Sequence, residues 1–193
     1  MSEKAAQTKQ APETLDRVQR FVNTRNRMRG YDHLESSKEA RRWLEESGYS
    51  PVDSVGDTEL ARLRELREGL RDILLSHNLG TSLEVTKASS RLNDLVSTTG
   101  LGVSFDSAGR PLLCSPFTGT EKAVEDMLIA AIRAGYEGTW QRLKACANKE
   151  CQWIFYDASK NRSGSWCVME ICGSRVKMRS YRERHSGTPR DAS

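Results

Sequence analysis

The sequence has few of the features that mark membrane, secreted or catalytic proteins. Among its 193 residues, aromatic side chains make up 7% and histidine occurs three times. The longest uncharged apolar run, Met127–Ile132, is far shorter than the roughly 20 apolar residues that a membrane-spanning helix needs. The segment 1–13 is polar and contains no apolar stretch of a secretory signal. These absences predict a soluble, intracellular protein of the cytoplasm.

The absence of a recognisable catalytic motif argues against an enzyme. His33 lies two residues before Glu35, as in zinc deaminases, but the Pro-Cys-x-x-Cys partner of that signature is missing. The sequence also has no glycine-rich phosphate loop and no nucleophile elbow. We therefore expect a protein that is not an enzyme and has no catalytic residues.

Four of the five cysteines form two pairs of equal spacing, Cys146-x4-Cys151 and Cys167-x4-Cys172. Four thiolates on two short loops suit a closed tetrahedral zinc site, with Zn–S bonds of about 2.3 Å. Disulfides would need an oxidising compartment, and chance pairing of core thiols does not explain the symmetry. An iron–sulfur cluster also accepts four thiolates and is left open. The spacing predicts one structural Zn²⁺ per chain, with Cys114 as a small buried apolar residue.

Positive charge is concentrated beside these cysteines. Residues 141–185 contain ten Lys or Arg and four acidic residues, whereas the whole chain carries a net charge of +4. Five cations follow the last cysteine on a predicted helix and are the candidates for DNA contact: Arg175, Lys177, Arg179, Arg182 and Arg184. The alternatives are an ordinary solvated helix, or an adaptor that uses the finger to bind RNA polymerase or a sigma factor.

Apolar periodicity predicts a mainly helical body ahead of the cysteines. A rhythm of three to four residues indicates a first helix that carries Leu15, Val18, Phe21, Val22 and Met28. Capping and apolar patterns predict further helices at 36–48, from 57 onward, at 82–98 and at 118–135. The alternation around the turn 106–110 predicts a β-hairpin. The last helix is expected to begin at an N-cap, Ser174, and to pack Met178 and Tyr181 inward.

These patterns predict an α+β protein. A mainly helical N-terminal body with one β-hairpin precedes a C-terminal treble-clef-like zinc finger that ends in a basic helix. The expected division is a disordered tail at 1–12, the helical domain at 13–140, the finger at 141–185 and a second disordered tail at 186–193.

The finger also resembles a known family. The residues Trp166-Cys167-x-Met169-x-x-Cys172-Gly173-x-Arg175-x-Lys177, preceded by Phe155-x-Asp157-x-Ser159-x-Asn161, resemble the CGNR zinc finger of many bacterial proteins. Phe21-Val22-Asn23-Thr24, with Trp43-Leu44 and the Gly109 hairpin, is similar to the ABATE domain that accompanies that finger. The resemblance implies a stress-induced transcription regulator whose zinc ligands are the four paired cysteines. Ser174 replaces the usual Asn, and 163–165 replaces a stretch that often carries arginines.

The polar residues Asn23, Thr24 and Arg25 interrupt the apolar first helix. One interpretation is that they end the helix or bond to neighbouring backbone, as Asn and Thr commonly do. The other is that they form the polar wall of a pocket through which the body senses a small-molecule effector. A homodimer that reads paired half-sites is a further expectation, because one DNA contact of this size is modest.

Overall fold

The computed structural model describes residues 10–80 and 83–185. The helices of the body are α1 (Glu13–Val22), α2 (Ser37–Glu46), α3 (Asp57–Leu79), α4 (Leu83–Ser97) and α5 (Gly119–Tyr136). Two antiparallel hairpins accompany them, β1–β2 (Arg25–Asn26 with Tyr31–Asp32) and β3–β4 (Gly102–Phe105 with Pro111–Cys114). The body is therefore mainly helical, and the predicted hairpin at 101–114 is present.

The finger begins with a 3₁₀ turn, Trp140–Arg142, and a third antiparallel hairpin, β5–β6 (Leu143–Ala145 with Ile154–Tyr156). A π-helical turn, Met169–Gly173, leads directly into the last helix, α6 (Ser174–His185). A hairpin followed by a helix, with a cysteine pair at each, is the treble-clef-like arrangement. This confirms the predicted α+β fold class.

Helix α1 ends earlier than the periodicity predicts. It buries Phe21 and Val22 and stops there, with Asn23 as its C-cap. Met28, which the spacing placed on this helix, lies in the turn between β1 and β2 and is exposed. The prediction was wrong at Met28 because the polar residues after Val22 bond to other parts of the molecule instead of continuing the helix.

Helix α3 runs without interruption through Gly69, although an internal glycine costs about 1 kcal/mol relative to alanine. The reason is a close helix crossing. A Cβ built on Gly69 would lie 2.8 Å from Cδ2 of Leu92 on α4, which is closer than real side chains approach. The glycine therefore lets Leu92 of α4 pack tightly against α3, and any side chain at this position would force Leu92 or its helix to shift.

One apolar core joins the body to the β5–β6 hairpin of the finger. Leu143, Ala145 and Ile154 are fully buried in the same cluster as the apolar faces of α1, α3 and α5. Because side chains alternate along a strand, the neighbouring Phe155 points the other way and packs with the cysteines in a second cluster. The β5–β6 hairpin is thus shared by both cores.

Helices α4 and α5 each leave one edge of their apolar stripe outside the core, where Val96 and Ile132 are more than one-third exposed. Within the tail predicted over 1–12, Ala11 is buried and its N–H donates to Oε1 of Gln19. Residues 1–9 and the tail at 186–193 lie outside the described residues. Across the described ranges, no helix is long and apolar enough to cross a membrane.

Candidate metal centre and nucleic-acid interface

Two short turns position the four paired cysteines. In the first, the N–H groups of Cys151 and Gln152 both donate to the carbonyl of Asn148, and this closes the loop between β5 and β6. In the second, the N–H of Cys172 donates to the carbonyl of Val168 at the entrance to α6. The hairpin brings the first pair to the second, since the N–H of Ala147 donates to the carbonyl of Ser165.

The four sulfur atoms fit a tetrahedral metal ion. All lie within 4.8 Å of one another, and Sγ of Cys167 lies 3.6 Å from Sγ of Cys151 and 3.7 Å from Sγ of Cys172. A tetrahedron with Zn–S bonds of about 2.3 Å has edges of about 3.8 Å, whereas a disulfide bond is about 2.05 Å long. The spacing therefore fits one structural Zn²⁺ and not a pair of disulfides, as the cysteine pattern predicts.

The surroundings of the sulfurs also favour a cation. Three of the cysteines are buried and Cys167 is half-buried. The neighbouring thiols of Cys151 and Cys167 hold the pKa of the Cys146 thiol far below its usual range, while the same crowding raises the pKa of Cys167. Four neighbouring thiols cannot all ionise unless a positive ion offsets the repulsion between the resulting thiolates. Cys114 is half-buried on β4, less buried than predicted, and is not part of this cluster.

A buried ion pair holds the loop between the two cysteine pairs. Nζ of Lys144 donates to Oδ2 of Asp157 at 2.8 Å, and both side chains are almost completely buried. The same carboxylate accepts the N–H groups of Ser159 and Gly164. Burial acts to raise the pKa of Asp157, but these hydrogen bonds outweigh it and lower the pKa to about 2. The loop 157–164 is therefore folded around one ionised carboxylate.

Two glycines of the finger lie where an added side chain would collide with a neighbouring side chain. A Cβ on Gly164 would lie 2.9 Å from the Asp157 carboxylate. A Cβ on Gly173 would lie 2.4 Å from Sδ of Met169, just before α6 begins. Phe155, Asp157 and Gly173, which carry the resemblance to the CGNR finger, thus have direct structural roles around the metal centre.

Helix α6 projects from the finger and buries none of its residues. All five predicted DNA-contacting cations, Arg175, Lys177, Arg179, Arg182 and Arg184, are exposed. Met178 and Tyr181 are 57% and 58% exposed, so the expectation that they pack inward was wrong. Neither apolar cluster includes a residue of α6, and Tyr181 instead stacks on His185 with ring centroids 4.0 Å apart.

Ser174 is not the N-cap of α6. Its φ of −64° and ψ of −42° are helical, because the π-helical turn already carries the chain into the helix. An N-cap has non-helical dihedral angles. Ser174, which replaces the family's Asn, therefore lies inside a continuous helical segment. Farther along the helix, Arg179 donates to Oε1 of Glu150 on the first cysteine loop at 2.6 Å.

Asn23 joins the body to the finger. Its Nδ2 donates to the carbonyl of Ile154 at 2.9 Å, and its Oδ1 accepts the N–H of the same residue at 2.8 Å. This side chain therefore pairs with β6 as a neighbouring strand would. Thr24 is equally buried, and its hydroxyl donates to the carbonyl of Phe21 at 2.7 Å. The interpretation of Asn23 and Thr24 as a pocket wall is corrected, since both side chains are bonded within the fold.

Helix α3 makes further body-to-finger hydrogen bonds through its polar side chains. Arg71 donates to the carbonyl of Gln152 in the finger at 2.8 Å, and also to that of Val22 on α1 at 2.6 Å. Asn78 donates to the carbonyls of Ala145 and Ser165, both at 2.9 Å. Sequence reasoning did not identify these two residues, because each is a polar position on an apparently exposed helix face.

His77 also contributes to this joint. Its Nδ1 lies 2.8 Å from the carbonyl of Leu143, and its ring meets Trp140 edge-on with centroids 5.5 Å apart. Burial is the main cause that lowers the pKa of His77, and nearby Lys144 lowers it further, while the bond to Leu143 opposes both. A neutral imidazole that donates from Nδ1 satisfies this position.

An open cleft of about 670 Å³ lies between the β1–β2 hairpin and the first cysteine loop. Arg25 lines it, together with Arg27, Asp32 and Glu150. Of the three residues predicted to bind a ligand, Arg25 alone therefore faces a cavity, while Asn23 and Thr24 lie beneath the hairpin.

The four-thiol centre at the base of a basic helix defines a zinc-finger protein. Residues 142–185 match the CGNR zinc finger, and residues 15–135 match the ABATE family, described as "putative stress-induced transcription regulator". No curated protein sequence matches the chain significantly. The chain belongs to the ABATE family and carries a CGNR zinc finger with one structural zinc. Membership of this family indicates a regulatory role.

Proposed function

We propose that this protein is a zinc-dependent, DNA-binding transcription regulator that acts in the cytoplasm and has no catalytic activity. The observation that supports DNA binding is the placement of α6. Five cations and one carboxylate lie on a helix that buries no residue and starts at the metal centre. A zinc-fixed basic helix suits the phosphate backbone of a duplex. Arg175, nearest the start of α6, is the candidate for base contact in the major groove.

A closed metal site supports the non-catalytic role. All four ligand positions are filled by protein thiols, three of them buried, so no position is left for a metal-bound water. The zinc instead fixes the direction in which α6 leaves the finger. Its contribution to regulation is structural.

A homodimer is part of this proposal. The β3–β4 hairpin exposes apolar side chains that a second copy could cover, with Val103 65% and Phe105 70% exposed. Exposed apolar residues that cluster on one element are typical of interaction surfaces. Sedimentation of the metal-loaded protein, with and without duplex DNA, distinguishes a monomer from a dimer on paired half-sites.

Sensing of a small-molecule effector is not supported at Asn23 or Thr24, whose side chains are engaged inside the fold. The specific observation that favours a second function is the exposure of Met178 and Tyr181 on α6. Exposed Met and Tyr side chains suit a protein partner, so an adaptor that binds the transcription machinery is the alternative.

The salt dependence of DNA binding tests the main proposal. Each neutralised phosphate contributes about 0.9 to the slope of log affinity against log salt. Three to five contacts from α6 should give a slope of roughly −3 to −4.5. Replacing both Arg179 and Arg182 with Ala should flatten this slope by nearly two units on a duplex. Arg41→Ala, which removes an exposed arginine from α2, is the matched control and should leave the slope unchanged.

Unchanged duplex binding by the Arg179→Ala, Arg182→Ala double variant would remove α6 from DNA recognition. The adaptor function would then be preferred. In that case the same variant should lose a co-purifying subunit of the transcription machinery.

A further inference from the structure

We propose that the β1–β2 hairpin is a second DNA-contacting element, which touches the backbone of a duplex that is bound to α6. Arg25, Arg27 and Arg29 are the residues that would contact phosphates. This inference rests on the proposed DNA-binding function and extends it from the finger to the body. The overall charge distribution alone assigns DNA contact to the finger, whereas the folded structure also places the exposed arginines of the hairpin near it.

The hairpin presents its arginines on a firmly held turn. The N–H of Arg29 donates to Oδ1 of Asn26 at 3.0 Å, and the N–H of Gly30 donates to the carbonyl of Asn26 at 2.9 Å. Gly30 has a φ of +71°, which an L side chain rarely adopts. The turn therefore keeps a fixed shape, with Arg27 and Arg29 at its exposed tip.

The base of the hairpin is fixed to helix α3. Arg67 pairs with Asp32 through both terminal nitrogens, with the longer contact at 3.0 Å, and it also bonds to Glu68. Its own side chain is 3% exposed, so this anchor is inside the protein. A buried guanidinium bound to two carboxylates holds the hairpin against the body and leaves its tip free to contact a ligand.

Positive charge is in excess around the anchor. Four arginines surround Glu68: its carboxylate lies 2.8 Å from Arg67, 3.1 Å from Arg71, 3.5 Å from Arg27 and 3.8 Å from Arg25. With Asp32 and the neighbouring Glu35 included, four cations face three carboxylates. Arg29 adds a cation with no ion-pair partner among the residues that the structure describes.

The outer arginines are available to a polyanion. The side chains of Arg25 and Arg27 are 46% and 33% exposed, and both pairs with Glu68 are longer than a hydrogen bond. Partly exposed pairs of this kind contribute little to stability. Phosphates can therefore replace Glu68 as the partner of these two guanidiniums without unfolding the hairpin, because Arg67 and Arg71 continue to neutralise Glu68.

The cleft joins this hairpin to the basic helix. Glu150 lines it opposite Arg25 and Arg27, and the same carboxylate accepts from Arg179 of α6. The walls of the cleft carry two arginines and three carboxylates, Arg25, Arg27, Asp32, Glu35 and Glu150, so the cleft itself is not a positive channel. The positive charge that phosphates would meet lies on the exposed side chains of the hairpin and of α6. Because Arg179 reaches the cleft through Glu150, a duplex that binds α6 can also contact the arginines of the hairpin.

The test combines the hairpin variants with the α6 variants in salt-dependent duplex binding. Arg27→Ala with Arg29→Ala should flatten the slope of log affinity against log salt by about one to two units. Arg110→Ala is the matched control, because Arg110 is an exposed arginine next to the other body hairpin and should not change the slope. Glu150→Gln should tighten binding several-fold, because it removes a negative charge that faces the phosphates.

The outcomes separate the two proposals. If the α6 variant flattens the slope and the hairpin variant does not, DNA binding stands and the hairpin contact is overturned. If neither variant affects duplex binding, the proposed function fails and this inference fails with it. Circular dichroism and zinc content of each variant verify that a changed slope does not come from unfolding.

Discussion

At the scale of single residues, Asn23 shows how one polar side chain can join two parts of a fold. It satisfies both backbone groups of Ile154, a residue 131 positions away along the chain. Gln19 supports the same joint, since its Nε2 also donates to the carbonyl of Ile154 at 3.1 Å. The N–H of Ile154 therefore depends on Asn23, whereas its carbonyl has a second donor.

Replacing Asn23 with Ala should lower the free energy of unfolding by about 1–3 kcal/mol, because it leaves a buried N–H without a partner. Urea unfolding at saturating zinc measures this. Asn93→Ala removes an exposed amide from α4 and should change the stability by less than about 0.5 kcal/mol. Equal stability of the two variants would contradict the role given to Asn23.

At the scale of elements, the finger is too small to hold its shape without the metal. Its two strands have three residues each, and its second apolar cluster consists mainly of the cysteines and aromatic rings around them. A two-stranded hairpin is marginal in water by itself. Zinc binding in such modules supplies about 10–16 kcal/mol at neutral pH, and most of their folding free energy comes from it.

Protein purified without added metal should contain about one equivalent of zinc per chain, measured by elemental analysis. Cys146→Ser should lose that zinc together with the helical circular dichroism of α6, because only three thiolates remain. Cys114→Ala should keep the full metal content, since Cys114 is outside the cluster. Iron with visible charge-transfer absorption, in place of zinc, would instead indicate an iron–sulfur cluster.

At the scale of the whole molecule, the body and the finger share one core and a set of cross-connecting hydrogen bonds. Ile154 packs among the apolar faces of the body, and Arg71 and Asn78 bond to the backbone of the finger. Parts of a protein that share a core unfold cooperatively. Loss of the metal should therefore be felt in the body as well as in the finger.

Hydrogen exchange before and after chelation of zinc tests this coupling. We expect faster exchange throughout 143–185 and also in residues 19–23 of the body, which bond to β6. The β3–β4 hairpin forms a two-stranded sheet of its own and contributes no residue to the shared core, so it serves as the internal control, with unchanged exchange. Faster exchange confined to 143–185 would show that the two parts behave as independent units.

Features that depend on local spacing can be predicted from the amino-acid sequence. The two Cys-x4-Cys pairs identify the metal ligands, because zinc needs four thiolates and two short loops can supply them. The start of α3 at Asp57 and the hairpin around Gly109 also follow from neighbouring residues, through helix capping and the positive φ of the turn. Such features need no knowledge of distant parts of the chain.

Only the tertiary structure decided which partners the polar residues have. Periodicity assigned Met28 to the first helix and Tyr181 to a core, but a repeat indicates which face is apolar and not whether anything covers it. The amide of Asn23 could bond locally or line a pocket, and its actual partner lies in a strand 131 residues away. The body arginines and the finger likewise meet at one cleft only after folding, because contacts between distant segments leave no local pattern in the sequence.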